Sequence, residues 1–473
     1  MRKTKIICTL GPASSDYETL KAMVEAGMDA ARLNFSHGDY KTHLNNIHTL
    51  RQICEELKRP VAIIQDLQGP KIRVGEMQEG VELIPGQKTI ITMTEVLGTA
   101  EKFSCTYKGL ASDVKEGEPI LINDGLIRIR VDRVLGTEIY GTVIHGGPLK
   151  SHKGINLSHS SISAPALTLK DIEDLEFGLN NEVDYVALSF VREASDVKEV
   201  KGAVRRKEKS THVIAKIERH EALEDLESII RTADAIMVAR GDLGVELPIE
   251  QVPLIQKSII QSCSAHLKPV ITATQMLESM INNPMPTRAE VSDIANAILD
   301  GTDALMLSGE TAVGKYPVLA VQTMARIAET VEASLTRSPS YINGVKEHFI
   351  SHSVAHAACQ LAENLKAKAI ICFTEHGFTA RVLSKYRQPL PVIAVTTSEE
   401  VRRRLALYWG VESLLLQEVS NTDEMIAMVD KAAVVHGYVS HGDIVVIIAG
   451  LPLPITGVTN LIKVHRIGES YAV

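Results

Sequence analysis

Lys216 and Glu218 stand two residues apart in Ile214-Ala215-Lys216-Ile217-Glu218, and Asp242 follows in Ala239-Arg240-Gly241-Asp242-Leu243-Gly244. A spacing of two along a strand puts both side chains on one face. A lysine beside two carboxylates suits a hard divalent cation, Mg²⁺ or Mn²⁺, which takes few protein oxygens and fills its shell with water and substrate. Zinc would recruit His or Cys, and neither is placed here. The pair Lys216 and Glu218 also fits a buried ion pair bracing the strand end, and the hexapeptide around Asp242 also fits a plain Asp-capped turn. Gly241 and Gly244 permit close backbone approach, so amides there can hold a carboxylate. Arg32, inside Ala31-Arg32-Leu33-Asn34-Phe35-Ser36-His37, needs an anion if buried. Phosphate matches its fork, and a structural salt bridge serves as well.

These residues fall at the ends of short apolar runs. Eight runs read as strands: Ile6–Leu10, Ala30–Ser36, Val61–Leu67, Tyr185–Phe190, Val213–Ile217, Ala235–Ala239, Val270–Thr274 and Leu305–Ser308. Each is followed by a helix-period segment, with start signals such as Ser15-Asp16 and Pro286-Thr287-Arg288-Ala289-Glu290. Continuous apolar strands alternating with helices predict an α/β protein built on a closed (β/α)8 barrel. In that fold the chemistry sits at the C-terminal strand ends, where Thr9, Arg32, Asn34, Ser36, Asp66, Lys216, Glu218, Asp242, Thr274, Ser308 and Glu310 would converge.

Residues 70–165 interrupt this rhythm with Gly and Pro punctuation and short alternating strands such as Leu126–Val131. They predict a small inserted β-barrel lid between candidate hinges Gly69-Pro70 and Ala164-Pro165, leaving 1–69 and 166–340 for the catalytic barrel. Residues 341–473 restart with strands Ala369–Thr374, Val392–Thr396, Glu412–Leu416 and Ile444–Ala449, a separate doubly wound α/β domain. Leu461–Ile467 alternates polar and apolar residues and reads as its antiparallel edge.

The 473 residues are 45% apolar and 23% charged with a net charge of −8, which excludes wholesale disorder and argues against nucleic acid as a partner. Six scattered cysteines without a CxxC pair predict reduced thiols. The run Ile6–Leu10 is too short for a signal peptide and no stretch approaches a membrane span, so a soluble cytoplasmic protein away from membranes is expected.

Six blocks, Ile7–Ser14 (ICTLGPAS), Ala31–Gly38 (ARLNFSHG), Ile214–His220 (IAKIERH), Ala239–Gly244 (ARGDLG), Thr272–Met280 (TATQMLESM) and Met306–Ala312 (MLSGETA), together resemble the pyruvate kinase family along essentially the whole chain. The resemblance implies phosphoryl transfer from phosphoenolpyruvate to ADP, giving pyruvate and ATP. It makes Glu218 and Asp242 the divalent-metal ligands, with the Gly241 and Asp242 amides on the substrate carboxylate. Arg32 becomes a phosphate-binding residue, and Lys216 the lysine that stabilises the transferring group. Thr9, Pro12, Asn34, His37, Arg73 and Lys153 would contact the nucleotide. Thr274, with Ser308 and Glu310, would position a water or relay the proton to the enolate. A homotetramer and allosteric control through the C-terminal domain are further implications. The chain ends soon after its last strand, so no phosphohistidine-type domain is expected to follow.

One block departs from the family. Potassium-dependent members read Asp-Thr-Lys-Gly-Pro-Glu where this chain has Asp66-Leu67-Gln68-Gly69-Pro70-Lys71. Asn34, Ser36, Asp66 and the Leu67 carbonyl still offer oxygens to a monovalent cation. The expectation is that the Lys71 ammonium replaces that ion, so potassium is not required; an exposed hinge lysine is the alternative. In the C-terminal domain Thr374-Glu375-His376-Gly377-Phe378-Thr379 links a strand to a helix, a geometry for holding an effector phosphate through Thr374, His376, Gly377 and Thr379. The stretch Gly450–Gly457 lacks basic residues, which favours a monophosphate effector (a sugar phosphate or AMP); an ordinary turn is the alternative. A metal-dependent lyase or aldolase acting on enolpyruvate is one competing reading, and a non-catalytic metabolite sensor is another.

Overall fold

The structure, a computed structural model, describes residues 2–157, 163, 165–335, 349–417, 422–450 and 459–469. Eight parallel strands close a barrel: β1 (Lys5–Thr9), β2 (Ala30–Asn34), β3 (Ala62–Asp66), β4 (Tyr185–Leu188), β5 (His212–Ile217), β6 (Ala235–Ala239), β7 (Val270–Ala273) and β8 (Ala304–Leu307). Each pairs with its sequence neighbour, and β8 returns to β1 through Lys5↔Ala304 to Cys8↔Leu307. Strand alternation divides the core in two. Ile7, Ile64, Ile214, Met237, Ile271 and Met306 fill the barrel interior. Ile6, Cys8, Leu33, Ile63, Val186 and Val238 face the surrounding helices. Each such side chain contributes roughly 1.5–3 kcal/mol by leaving water.

The expected helix starts are present. Asp16 accepts from the Thr19 amide at 2.9 Å ahead of the helix Tyr17–Ala26, and Thr287 with Glu290 forms a capping box ahead of Arg288–Leu299. The eight sequence-read barrel strands are recovered, with ends displaced by at most two residues, whereas the run read as Leu126–Val131 in the insertion is the longer strand Ile127–Leu135.

The insertion is all-β around one apolar core that includes Val74, Ile91, Phe103, Ile120, Ile129 and Val143. Its six-stranded sheet begins and ends with the short strands Ile155–Leu157 and Lys102–Ser104. The segment just past Pro70 joins these two edges. On one side Ile155 N donates to Ile72 O at 2.9 Å and Val74 N to Lys153 O at 2.8 Å. On the other, Gly75 N donates to Ser104 O and Thr106 N to Arg73 O, both at 2.9 Å. Among the described residues these bonds join the two edges, and the unit closes into a small barrel.

The C-terminal unit carries β9 (Ala369–Phe373), β10 (Val392–Thr396), β11 (Val411–Leu415), β12 (Ile444–Ala449) and β13 (Leu461–Arg466), in the order β11-β10-β9-β12-β13. The first four are parallel, and β13 is the antiparallel edge expected from its alternation. This unit docks beneath the N-terminal ends of the barrel strands, opposite the mouth. Lys5 Nζ donates to Val411 O at 2.8 Å and Tyr185 Oη to Arg404 O at 2.8 Å. Buried Asp303 pairs with Lys385 at 2.5 Å and Arg387 at 2.9 Å. The candidate hinge residue Ala164, the junction expected at 340/341 and the stretch 451–457 lie outside the described residues.

Candidate active site

Lys216, near the C-terminal end of β5, is the hub of the barrel mouth. Its ammonium lies 2.8 Å from Glu218 Oε1 and 3.2 Å from Asp66 Oδ1, and donates to Ser189 Oγ at 2.8 Å. Burial disfavours the charged amine, but Asp66 and Glu218 outweigh it and hold its pKa well above the ordinary lysine value. Asp66 is also buried, which pushes its carboxyl up; Lys216 and Arg32 overcome that and keep it ionised. Arg32 donates from Nε to Asp66 Oδ2 at 2.6 Å and from Nη1 to Thr9 Oγ1 at 3.1 Å. Both expectations for Arg32 are thus compatible: Asp66 takes one edge of the guanidinium, and the side chain stays 12% exposed toward the mouth.

Asp242 opens the short helix Arg240–Glu246 beyond β6. Burial and the neighbouring Glu218 carboxylate raise its pKa to about 6, against the opposing pull of Lys216 and Lys71. Two carboxylates set close together in a half-buried cleft offer the oxygens that a hard cation takes. Gly241 N donates to Thr274 Oγ1 at 2.9 Å, so this amide and hydroxyl stand side by side. Thr274 (φ 70°) and Gln275 (φ 55°) after β7, and Phe190 (φ 55°) after β4, hold left-handed backbone at the mouth. Phe190 N donates to Glu218 Oε2 at 2.8 Å and orients that carboxylate.

The loops after β7 and β8 are tied by Glu310. Its fully buried carboxylate accepts Leu277 N at 2.9 Å and Ser308 N at 2.7 Å, which leaves it braced by amides. The Thr9 hydroxyl is likewise engaged, donating to Leu307 O at 3.0 Å while it accepts from Arg32. Gly11 accounts for the glycine of the first block: a Cβ there would lie 2.6 Å from Ala312 O. Asn34 Oδ1 accepts Ser36 N at 3.1 Å, and the Leu67 carbonyl accepts Ser189 Oγ at 2.7 Å. With Asp66 already held by Arg32 and Lys216, three of the four residues expected to face a monovalent cation therefore have protein donors on their oxygens.

Above the mouth, a cleft runs between the inserted barrel and the catalytic barrel, lined by Lys71, Asp124 and Asn156 on one side and Phe190, Arg192 and Asp242 on the other. Lys71 is exposed, yet crowding in this cleft and then Arg73 lower its pKa, while Asp242 and Glu218 oppose that shift. Arg73 pairs with Gly154, so Arg73 and Lys153 meet at the seam of the inserted barrel. His37 is exposed at the rim; desolvation first, and then Lys71, Arg73 and Arg32, depress its pKa. A field of cations collects there, as an anionic ligand requires. Pro12 is exposed near β1.

Sequence pattern did not single out Ser189, which links Lys216 to the Leu67 carbonyl. The signal was present, because Ser189 is the polar residue that ends the apolar run of β4. Arg240, read at the end of β6 but given no role, donates to Asp293 Oδ1 at 2.8 Å and Thr274 O at 2.7 Å and holds the β6 and β7 loops together. His220, Glu221 and Glu246 also cluster, but Arg219 already bridges both carboxylates at 2.9 and 3.3 Å. In the C-terminal unit, Gly377 (φ 85°) donates to Thr374 Oγ1 at 2.9 Å and starts the helix Phe378–Lys385. Thr379 Oγ1 lies 2.9 Å from Thr459 Oγ1, and His376 is exposed.

A (β/α)8 mouth that gathers two carboxylates, a buried ammonium and a cationic rim beneath an inserted β-barrel fits the class of metal-dependent phosphotransferases. Comparison with known proteins specifies it further. Residues 1–321 match the family model of the pyruvate kinase barrel domain, and residues 352–465 that of the pyruvate kinase alpha/beta domain. The chain is 49% identical over 471 residues to a pyruvate kinase of Mycobacterium tuberculosis (strain ATCC 25618 / H37Rv), covering 99% of each chain. It is 49% identical over 477 residues to a pyruvate kinase of Geobacillus stearothermophilus, covering 100% of this chain and 81% of the relative. A crystal structure of a pyruvate kinase from Cryptosporidium parvum superposes with a TM-score of 0.92 at 36% identity, covering 98% of this chain and 96% of that one. The chain belongs to the pyruvate kinase family, whose members transfer the phosphoryl group of phosphoenolpyruvate to ADP with a divalent metal. Among the described residues no helix is long and apolar enough to cross a membrane.

Proposed function

We propose that Glu218 and Asp242 are the divalent-metal ligands and Lys216 the catalytic cation in the transfer of phosphoryl from phosphoenolpyruvate to ADP. The observation that carries this is the Lys216 hub: one buried ammonium locked between Glu218, Asp66 and Ser189 at the foot of the cleft. Mg²⁺ or Mn²⁺ bound there supplies positive charge against the transferring phosphoryl group and the enolate oxygen. Arg32, steadied by Asp66 and Thr9, binds phosphate with its exposed edge. Lys216 needs no reorganisation to neutralise charge that develops between donor and acceptor oxygens. The amides of Gly241 and Asp242 and the Thr274 hydroxyl orient the substrate carboxylate. Thr274 and Ser308 hold the water or proton path to the enolate carbon, and Glu310 fixes the loops that carry them. Pro12, Asn34, His37, Arg73 and Lys153 receive the nucleotide, and lid closure excludes water.

Residues 1–69 and 166–340 make the catalytic barrel, 70–165 the lid and 341–473 the regulatory domain. Lys71 supplies the charge that a monovalent ion provides in other members, so potassium is not required. Thr374, His376, Gly377 and Thr379 hold the phosphate of a monophosphate effector, a sugar phosphate or AMP. A cytoplasmic homotetramer is the working form; six free cysteines accord with a reducing compartment. Mn²⁺ binding followed by electron paramagnetic resonance tests the ligand assignment. Glu218→Gln and Asp242→Asn should each weaken Mn²⁺ by about tenfold or more, and wild-type affinity in both would overturn it.

A further inference from the structure

The chain crosses between the catalytic barrel and the inserted barrel twice, outward at Gly69-Pro70 and back ahead of the helix Leu169–Asn180. That helix opens on Thr168-Leu169-Lys170-Asp171, a spacing that lets threonine and carboxylate cap one another. Thr168 Oγ1 accepts from Asp171 N at 3.1 Å. Asp171 Oδ2 accepts from Thr168 N at 2.9 Å and from the Thr168 hydroxyl at 2.5 Å. A capping box occupies only one carboxylate oxygen. The other, Oδ1, reaches to the outward crossing and accepts from Gly69 N at 3.0 Å.

One fully buried carboxylate therefore holds both crossings. Bonds to a carboxylate are roughly twice as strong as those between neutral groups. Gly69 itself has φ 68°, and a Cβ there would lie 2.9 Å from Phe190 Cδ2 and 3.1 Å from Ser189 Cβ. The outward crossing is thus seated on the two residues that orient Glu218 and Lys216. From the same helical turn, Lys170 Nζ donates to Phe35 O at 3.0 Å, in the segment that carries Asn34 and His37.

We propose that Asp171 is a positioning residue for the nucleotide. By tying both crossings together it sets where the inserted barrel holds Arg73 and Lys153 over the mouth, a role that rests on the assignment of those two residues to the nucleotide. Arg73 follows Gly69 closely, and Val74 N donates to Lys153 O, so a shift at the crossing reaches both cations through backbone. Arg32, Lys216, Gly241 and Thr274 belong to the catalytic barrel and do not move with it.

Steady-state kinetics of the full chain with Mg²⁺, varying ADP and phosphoenolpyruvate separately, tests this. Asp171→Asn keeps the shape but retains a single acceptor oxygen, so one crossing meets an amide donor. It should raise KM for ADP by at least about tenfold and leave KM for phosphoenolpyruvate unchanged. Loss of folded protein alone would lower the rate at every substrate concentration and move neither KM. Thr168 is only half-buried and gives a milder cut, which decides the matter even where Asp171→Asn folds poorly. Thr168→Val should raise KM for ADP, and Thr168→Ser should keep it at the wild-type value. Lys153→Met should raise it on its own. If Lys153→Met responds, an unchanged KM for ADP in Thr168→Val, or an equal rise in both KM values, would overturn the role of Asp171. An unresponsive Lys153→Met would instead overturn the nucleotide assignment, and this role with it.

Discussion

The ammonium of Lys216 lies 2.8 Å from Glu218 Oε1, so the proposed catalytic cation and a proposed metal ligand already touch in the free protein. Attraction between them fixes both side chains before substrate arrives. The desolvation cost is offset because Asp66 and Ser189 satisfy the remaining ammonium protons. Preorganised charge of this kind is most of what phosphoryl transfer asks of a protein.

Ser189 holds Lys216 without being placed to touch the reacting atoms, which makes it a positioning residue. Ser189→Ala should lower kcat by about 10- to 100-fold, within the usual cost of a misplaced catalytic group. Mn²⁺ affinity should change little, because Glu218 keeps its bond from Phe190 N. Steady-state kinetics beside Mn²⁺ titration separates the two effects.

Asp242 gives a pH signature in metal-free protein. Its pKa is raised to about 6 in the folded state, so that state binds the proton more tightly than the unfolded chain. This contribution is therefore favourable at low pH and is lost as pH rises through about 4 to 6. The loss is on the order of 3 kcal/mol. Asp242→Asn should raise the metal-free thermal midpoint at pH 7 and leave it unchanged at pH 4. Equal effects at both pH values would contradict the assignment.

Lys71 sets the monovalent-ion requirement. Wild-type turnover in potassium-free buffer should match that with potassium, and Lys71→Glu should make activity respond to potassium. A marked requirement in the wild type would remove this role, and Lys71 would then be a hinge lysine exposed at the cleft.

Asp303 anchors the C-terminal unit to the barrel floor through Lys385 and Arg387. Asp303→Asn leaves two buried cations without their counter-charge and should cost about 3–5 kcal/mol. The midpoint of urea denaturation should fall accordingly, while kcat of the folded fraction stays close to wild type.

Much of this architecture was legible in the sequence because parallel strands write themselves as continuous apolar runs, and because the chemistry of a barrel gathers at their ends. Lys216, Glu218, Asp242 and Thr274 met at one mouth for that reason. Ser189 was overlooked where an apolar run took precedence over the polar residue that ends it. Relationships that depend on distant packing left no local trace: Asp303 meeting Lys385, Asp184 serving both Arg51 and Arg403, or Ile72–Gly75 closing the lid. Strand ends shifted by a residue or two because hydrogen-bond pairing stops before the apolar pattern does, as at Asn34 and Ala273.

The most direct measurement is the rate of pyruvate and ATP formation from phosphoenolpyruvate and ADP with Mg²⁺, for wild type and for Lys216→Met. The two products should form in equal amounts, and the substitution should lower kcat by at least about 10²–10³-fold with Mn²⁺ still bound. Pyruvate without ATP, or turnover in Lys216→Met close to wild type, would contradict the account.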